Sequence, residues 1–115
     1  MQDLQTELNA LVRRELWISM MGLLRSHLAA LEVTGRLNGV RIHEAPEGLE
    51  VNVRTATAIL TIRFDPESGI GIWTEYKGQQ TMGSWTMSTG GQFAVDEQMM
   101  DMEFAVEHFA AKLVN

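Results

Sequence analysis

The chain contains no cysteine among its 115 residues and only two prolines. The absence of thiols excludes disulfide bonds, cysteine-ligated metal sites and thiolate nucleophiles, and it is compatible with a reducing compartment. A domain of this length buries roughly two thirds of the surface of its unfolded chain, so it does not require covalent cross-links. We therefore expect a single domain over residues 1–115, stabilised by side-chain packing alone.

Long apolar runs and basic blocks are also missing. The longest uncharged stretch with a helical pattern, residues 16–24, is about half of what a membrane-spanning helix needs. The first segment, MQDLQTELNALVRRE, lacks the basic start and apolar run of a signal peptide. Fifteen acidic residues against nine basic ones give a net charge of −6, and no basic footprint for nucleic acid is visible. These features favour a soluble cytoplasmic protein that neither spans a membrane nor binds nucleic acid.

The spacing of apolar residues divides the chain into a helix, a sheet and a second helix. From residue 3 to about residue 31, apolar side chains recur every three or four positions without a proline, which predicts one long helix or two in tandem. From Val40 onward apolar and polar residues alternate, which predicts an antiparallel meander of four to five strands. Gly90 and Gly91 are expected to end the sheet, and Asp96 to cap a final helix. The predicted fold class is α+β, a two-layer sandwich with both helices on one side of the sheet.

The stretch from residue 49 to residue 64 leaves two alternatives open. Its alternating pattern fits two strands in a hairpin, but the segment near residues 55–57 has no glycine, asparagine or aspartate to make the turn. One long bent strand is the alternative. Just before it, a hairpin that pairs Ile42 with Val51 places their apolar rows on one face and brings His43 opposite Glu50.

A near-repeat, GIW followed by GSW, carries Trp73 and Trp85. Its spacing is what one strand and one turn occupy in a meander, so a duplication is not needed to explain it. We expect Ile70 and Ile72 to continue the apolar row of the sheet, which places Trp73 on the outer face. The two tryptophans are therefore predicted to lie on opposite faces of the sheet.

The first helix carries more apolar surface than one sheet covers. The apolar residues of its first half (Leu4, Leu8, Leu11, Val12) and those of its second half lie on different sides of the helix. We predict that the second set binds a partner, either another protein or a second copy in a symmetric homodimer; its members are Trp17, Met20, Met21, Leu24 and Leu28. The alternative is a helix bent near Gly22 that packs these side chains into its own core.

The outer face of the predicted sheet is a second candidate site. We expect it to carry an aromatic ring among charged side chains: Trp73, Arg63, Arg54, His43 and Glu50. Such a ring is suited to stack on a ligand or to cover a peptide, and a carboxylate beside an imidazole is suited to orient a general base. The alternative is a cross-strand packing residue surrounded by ordinary ion pairs.

The sequence carries no recognisable catalytic, cofactor-binding or metal-binding motif. His27, His43 and His108 have no partner at metal-ligand spacing, and no glycine-rich segment precedes a helix as a phosphate-binding loop would. We therefore predict a small, acidic, non-enzymatic interaction protein without a cofactor. It is expected to be homodimeric and to bind another macromolecule as an escort, adaptor or inhibitor does. The alternative is a small-molecule binding protein or enzyme with its site on the open sheet face around Trp73.

Overall fold

A computed structural model of the chain describes residues 3–45 and 48–114. The described residues form a seven-stranded antiparallel sheet whose strands lie side by side in chain order. One helix precedes the sheet in the chain and one follows it. The predicted α+β class and the order helix, meander, helix are confirmed, but the sheet has more strands than the four to five expected. The elements are α1 (Leu4–Val33), β1 (Arg41–Glu44), β2 (Glu50–Arg54), β3 (Ile59–Asp65), β4 (Ile70–Tyr76), β5 (Gln80–Met87), β6 (Phe93–Val95), β7 (Gln98–Met100) and α2 (Met102–Ala111).

Of the two strands beyond the five expected, β6 precedes Asp96, and β7 occupies the segment that the sequence predicts as the start of the final helix. Asp96 and Glu97 join them in a two-residue turn with φ angles of 51° and 68°. Positive φ at both central residues is the geometry that tight hairpins favour, but neither residue is the glycine or asparagine that usually signals it. Helix α2 therefore begins at Met102, and its N-cap is Asp101, whose carboxylate accepts a hydrogen bond from the Phe104 amide at 2.9 Å.

Residues 49–64 form a hairpin and not one bent strand. Strands β2 and β3 pair antiparallel, and the turn between them is held by a threonine side chain. The Thr55 hydroxyl oxygen accepts hydrogen bonds from the amides of Ala58, at 3.0 Å, and Thr57, at 3.3 Å. Threonine hydroxyls stabilise turns in this way, more weakly than asparagine or aspartate, which explains how the chain reverses without glycine.

Both helices cover the same face of the sheet, and aromatic rings fill the space between them. Trp85 on β5 lies at the centre of this cluster. Its ring is 6.2 Å from Trp17 of α1, 5.0 Å from Phe64 of β3 and 6.2 Å from Phe93 of β6, and it meets Phe109 of α2 edge-on at 5.6 Å. Ring centroids at these separations interact favourably beyond their area burial. One side chain on β5 thus contacts both helices and two other strands.

The two tryptophans lie on the same face of the sheet, so the prediction of opposite faces is wrong. The turn between β3 and β4 pairs Asp65 with Ile70, and this register turns the core face of β4 to Gly71 and Trp73. Strand β5 pairs Trp85 with Gly71 and Gly83 with Trp73. Each tryptophan therefore covers a glycine on the neighbouring strand. The near-repeat in the sequence reflects this arrangement, because each of the two antiparallel strands carries one glycine and one tryptophan.

Substitution of Gly71 tests how much the fold depends on this contact. A Cβ atom at position 71 would overlap the Trp85 ring and the Arg63 carbonyl oxygen, and one at position 83 would lie 2.7 Å from the Trp73 ring. Overpacking typically costs about 1–3 kcal/mol, and we expect Gly71→Ala to cost roughly 3 kcal/mol because a backbone atom must move. Gly90→Ala is the matched control, since its Cβ would meet nothing closer than 3.7 Å. Urea unfolding would contradict the interpretation if the Gly71 and Gly90 variants were equally stable.

Candidate functional site

The five helix residues predicted to bind a partner lie in the core of the domain. Trp17, Met20, Met21, Leu24 and Leu28 are each 3% exposed or less. They pack against the domain's own sheet and second helix, as the alternative interpretation held, so in this fold they do not form a docking surface. Whether the protein binds a partner remains a prediction, but these side chains do not present its surface.

The position of α1 on the sheet explains this outcome. The Arg13 guanidinium donates hydrogen bonds to the carbonyl oxygens of Met87, Pro66 and Glu67, at 3.2, 3.1 and 3.3 Å, where β3 turns into β4 and β5 ends. Arg13 thus marks where the helix meets the edge of the sheet. The buried side chains of α1 all follow Arg13, whereas none of the described side chains that precede it is buried.

Most of the uncovered apolar side chains of α1 belong to the first half of the helix. The helix has 30 residues and is about 45 Å long, and the longest dimension of the molecule is 49 Å against 28 and 26 Å. We call the exposed apolar side chains of this half the N-terminal stripe: Leu4, Leu8, Leu11, Val12 and Ile18, each between 42% and 67% exposed. The surplus predicted from the sequence therefore exists, but on the opposite set of residues.

Trp73 does not lie on the outer face of the sheet, so the predicted site around it is not formed. Its ring faces the helices and is 7% exposed. Lys112, the C-cap of α2, places its Nζ atom 3.8 Å above the ring centroid, a cation–π contact. Gly83 lies against the ring from the neighbouring strand. The aromatic ring on which that site depended is therefore a core side chain.

The other four residues of that predicted site do share the outer face, but the pair proposed for acid–base chemistry is not formed. His43 lies opposite Asn52, and Glu50 lies opposite Arg63, with which it forms an ion pair. The β1–β2 register differs by two residues from the predicted one, because Ile42 pairs with Val53. Glu50 therefore does not orient His43 as a general base.

The sheet surface that faces away from the helices, which we call the open face, has an apolar centre. Four large side chains on β4 and β5 are between 47% and 63% exposed there: Ile70, Ile72, Tyr76 and Met82. Sequence analysis missed them because it assigned the isoleucines to the core. The signal that could have placed them is the glycine opposite each tryptophan, since a glycine can face a buried ring.

Arginines lie on one side of this apolar centre, and an acidic residue, Asp65, adjoins it on β3. Arg41 and Arg54 lie directly opposite each other on β1 and β2, and Arg63 follows on β3. Like charges opposite each other on a sheet are destabilising, and the Arg54 Nε atom donates to the Asn52 side chain at 3.2 Å and not to a carboxylate. Because the whole chain carries a net charge of −6, this opposed pair of arginines is a local exception.

A small polar cluster fastens α2 to the β6–β7 turn. The Asp96 carboxylate lies 2.8 Å from His108 Nε2 and 2.8 Å from Lys112 Nζ. Burial of the carboxylate favours a higher pKa, but the hydrogen bonds from Lys112 and His108 outweigh burial and hold the pKa of Asp96 below its ordinary value. The cluster thus connects the turn to the end of the helix and, through Lys112, to the Trp73 ring. These contacts stabilise the packing of α2.

The described part of the chain contains no group of three or more histidine or acidic side chains placed to hold a metal ion. None of the described helices is long and apolar enough to cross a membrane. Between α1 and α2 lies an open groove of about 350 Å³, lined by Leu23, Ser26, His27, Glu103, Val106 and Glu107.

No protein-family model, curated protein or solved structure matches the chain.

Two alanine variants on the same helix distinguish its covered side from its uncovered side. Leu28 is fully buried and Leu11 is exposed. Truncating a buried leucine to alanine typically costs about 2–5 kcal/mol, so Leu28→Ala should lower the free energy of unfolding by that amount. Leu11→Ala should change it by less than about 0.5 kcal/mol. Urea denaturation in dilute solution measures both, and similar losses would mean that the first half of α1 is packed in solution.

The lowered pKa of Asp96 gives a testable dependence of stability on pH. Because the folded pKa lies below the unfolded one, the carboxylate contributes stability above its unfolded pKa of about 3.9. That contribution is lost as the pH falls from there through the folded pKa. We expect Asp96→Asn, which tolerates the same positive φ, to be less stable than the wild type at neutral pH. The difference should shrink as the pH falls below about 4, whereas a difference independent of pH would contradict the assignment.

Proposed function

We propose that the protein is a non-enzymatic cytoplasmic interaction protein, which acts as a homodimer and binds another protein through its open face. The observation that carries this proposal is the apolar centre of that face, formed by Ile70, Ile72, Tyr76 and Met82. Contiguous exposed apolar groups rimmed by polar residues are typical of interaction sites. The described residues already include a core of 22 buried hydrophobic side chains, so the stability of the domain does not explain the apolar centre.

The shape and charge of the open face favour a protein segment over a small molecule. Small-molecule sites usually enclose most of the ligand, whereas the depression of about 380 Å³ beside Ile70 and Ile72 on this face is open to solvent. The apolar centre is suited to apolar side chains of the partner. Arg41 and Arg54, which lack carboxylate partners in the described chain, are suited to acidic residues beside them. We therefore expect the partner to present apolar and acidic residues together.

The alternative, a small-molecule binding protein or enzyme centred on Trp73, loses its main support. The Trp73 ring, which this alternative needs for stacking on a ligand, is covered by Lys112 on one side. The predicted His43–Glu50 pair is not formed. The homodimer keeps a physical basis, because the N-terminal stripe leaves five apolar side chains exposed on a helix. A symmetric dimer is the commonest form of such association.

Photo-crosslinking from the open face tests partner binding. A photoreactive amino acid at position 72 should give one discrete protein adduct in cells that express the chain. The same amino acid at position 33 is the control, because Val33 is 87% exposed on α1, remote from the open face. Adding Arg54→Glu should reduce the adduct from position 72 several-fold, since it reverses a charge at the edge of the apolar centre.

Two results would contradict the proposed use of the open face. One is equal labelling from positions 72 and 33, which would indicate random collision. The other is an adduct from position 72 that Arg54→Glu and Ile70→Asp both leave unchanged, which would place the contact elsewhere. Ile70 and Arg54 are exposed, so we expect both variants to fold, and circular dichroism checks this.

A further inference from the structure

The N-terminal stripe has the spacing of a coiled-coil seam. Four of its members and Glu15 follow one another along α1 at intervals of four, three, four and three residues: Leu4, Leu8, Leu11, Glu15 and Ile18. This spacing keeps side chains on one line that a second helix can cover. At about 100° per residue, the line lies roughly 150° around the helix from the buried residues that face the sheet. A partner helix could therefore reach it without disturbing the core.

Two charged side chains border the stripe on one side. Glu7 immediately precedes Leu8 and Arg14 immediately precedes Glu15, so the two lie along the same edge. Residues seven apart are separated by about 10 Å along a helix, which is too far for an ion pair within one chain. Both are exposed, and neither forms an ion pair within residues 3–45 and 48–114. Their charges are complementary but unpaired.

We infer that a second copy of the chain covers the stripe, with the two α1 helices packed antiparallel over residues 4–15. This inference rests on the proposed homodimer and names its surface. In antiparallel packing Leu8 lies beside Leu11 of the second copy, and the reverse contact forms by symmetry. The same register brings Glu7 of each copy next to Arg14 of the other. In an antiparallel pair of helices, the residues that immediately precede seam residues on the two chains lie along the same border of the interface. Two equivalent ion pairs therefore border two equivalent leucine contacts.

A parallel arrangement uses the same residues less favourably. It places Glu15 of one copy against Glu15 of the other within the seam, where like charges repel. It also brings Glu7 near Val12 of the second copy and leaves Arg14 near Ser19, so neither charge finds its complement. The distribution of charge along α1 thus selects the antiparallel orientation.

Charge reversal tests the pairing, with sedimentation velocity over a dilution series as the measurement. Glu7→Arg and Arg14→Glu each convert two attractive contacts into two repulsive ones, and we expect each to raise the dissociation constant of the dimer about tenfold. A mixture of the two single variants should form a heterodimer near wild-type affinity, because both contacts between unlike chains become attractive. The double variant Glu7→Arg/Arg14→Glu should also recover near wild-type affinity.

Two control variants separate these contacts from general effects of charge and folding. Glu103→Arg reverses an exposed charge on α2, and it should leave the dissociation constant within about twofold of the wild type. Leu11→Glu removes a central apolar contact and should abolish the dimer. Because Leu11 is exposed in the single chain, this variant should keep the far-UV circular dichroism and the unfolding midpoint of the monomer.

The outcomes distinguish the inference from the proposal on which it rests. A wild-type protein that stays monomeric throughout the dilution series would overturn both the homodimer and its antiparallel surface. A wild-type dimer that neither the charge reversals nor Leu11→Glu weakens would overturn the α1 surface alone, and the homodimer would then use another face. Recovery in the mixture of single variants supports the antiparallel pairing specifically.

Discussion

The reciprocal contact of Trp73 and Trp85 with Gly83 and Gly71 is the constraint on which the rest of the structure depends. Trp85 reaches the centre of the core because the residue opposite it has no side chain, and from there it contacts both helices. A slip of one residue in the β4–β5 pairing would put the two rings on opposite faces of the sheet. The same alternation that buries the tryptophans exposes Ile70 and Ile72. The apolar centre of the open face is therefore a direct consequence of how the core is packed.

The second constraint is a mismatch in length between α1 and the sheet. Seven-residue strands such as β3 and β4 span about 23 Å, whereas α1 spans about 45 Å. Even crossing the strands at an angle, the helix extends beyond them, and Arg13 marks the edge. Residues beyond this edge have no sheet to cover them, so their leucines remain exposed although they have the same periodicity as core residues.

Sequence analysis predicts the fold class correctly, because it depends on local periodicity, but it assigns the surplus apolar surface of α1 to residues that are buried. It fails where two patterns are equally apolar. On β4 either alternation carries large apolar residues, Ile70 and Ile72 or Trp73, and only the glycine opposite each tryptophan decides between them. On α1 both halves have helical apolar spacing, and neither pattern indicates where along the helix the sheet ends. The β6–β7 hairpin escapes detection because its turn residues, Asp96 and Glu97, adopt positive φ without the usual glycine or asparagine.

The two candidate surfaces lie on opposite sides of the molecule, which bears on how they would act together. The helices cover one face of the sheet, and the N-terminal stripe points away from that face, whereas the apolar centre lies on the other side of the sheet. A dimer formed by α1 would therefore leave both open faces uncovered and directed outward. Such an assembly would present two equivalent sites, so a partner with repeated or clustered segments would bind it with higher avidity than a single domain. Self-association and partner binding would then reinforce each other, because neither uses the surface of the other.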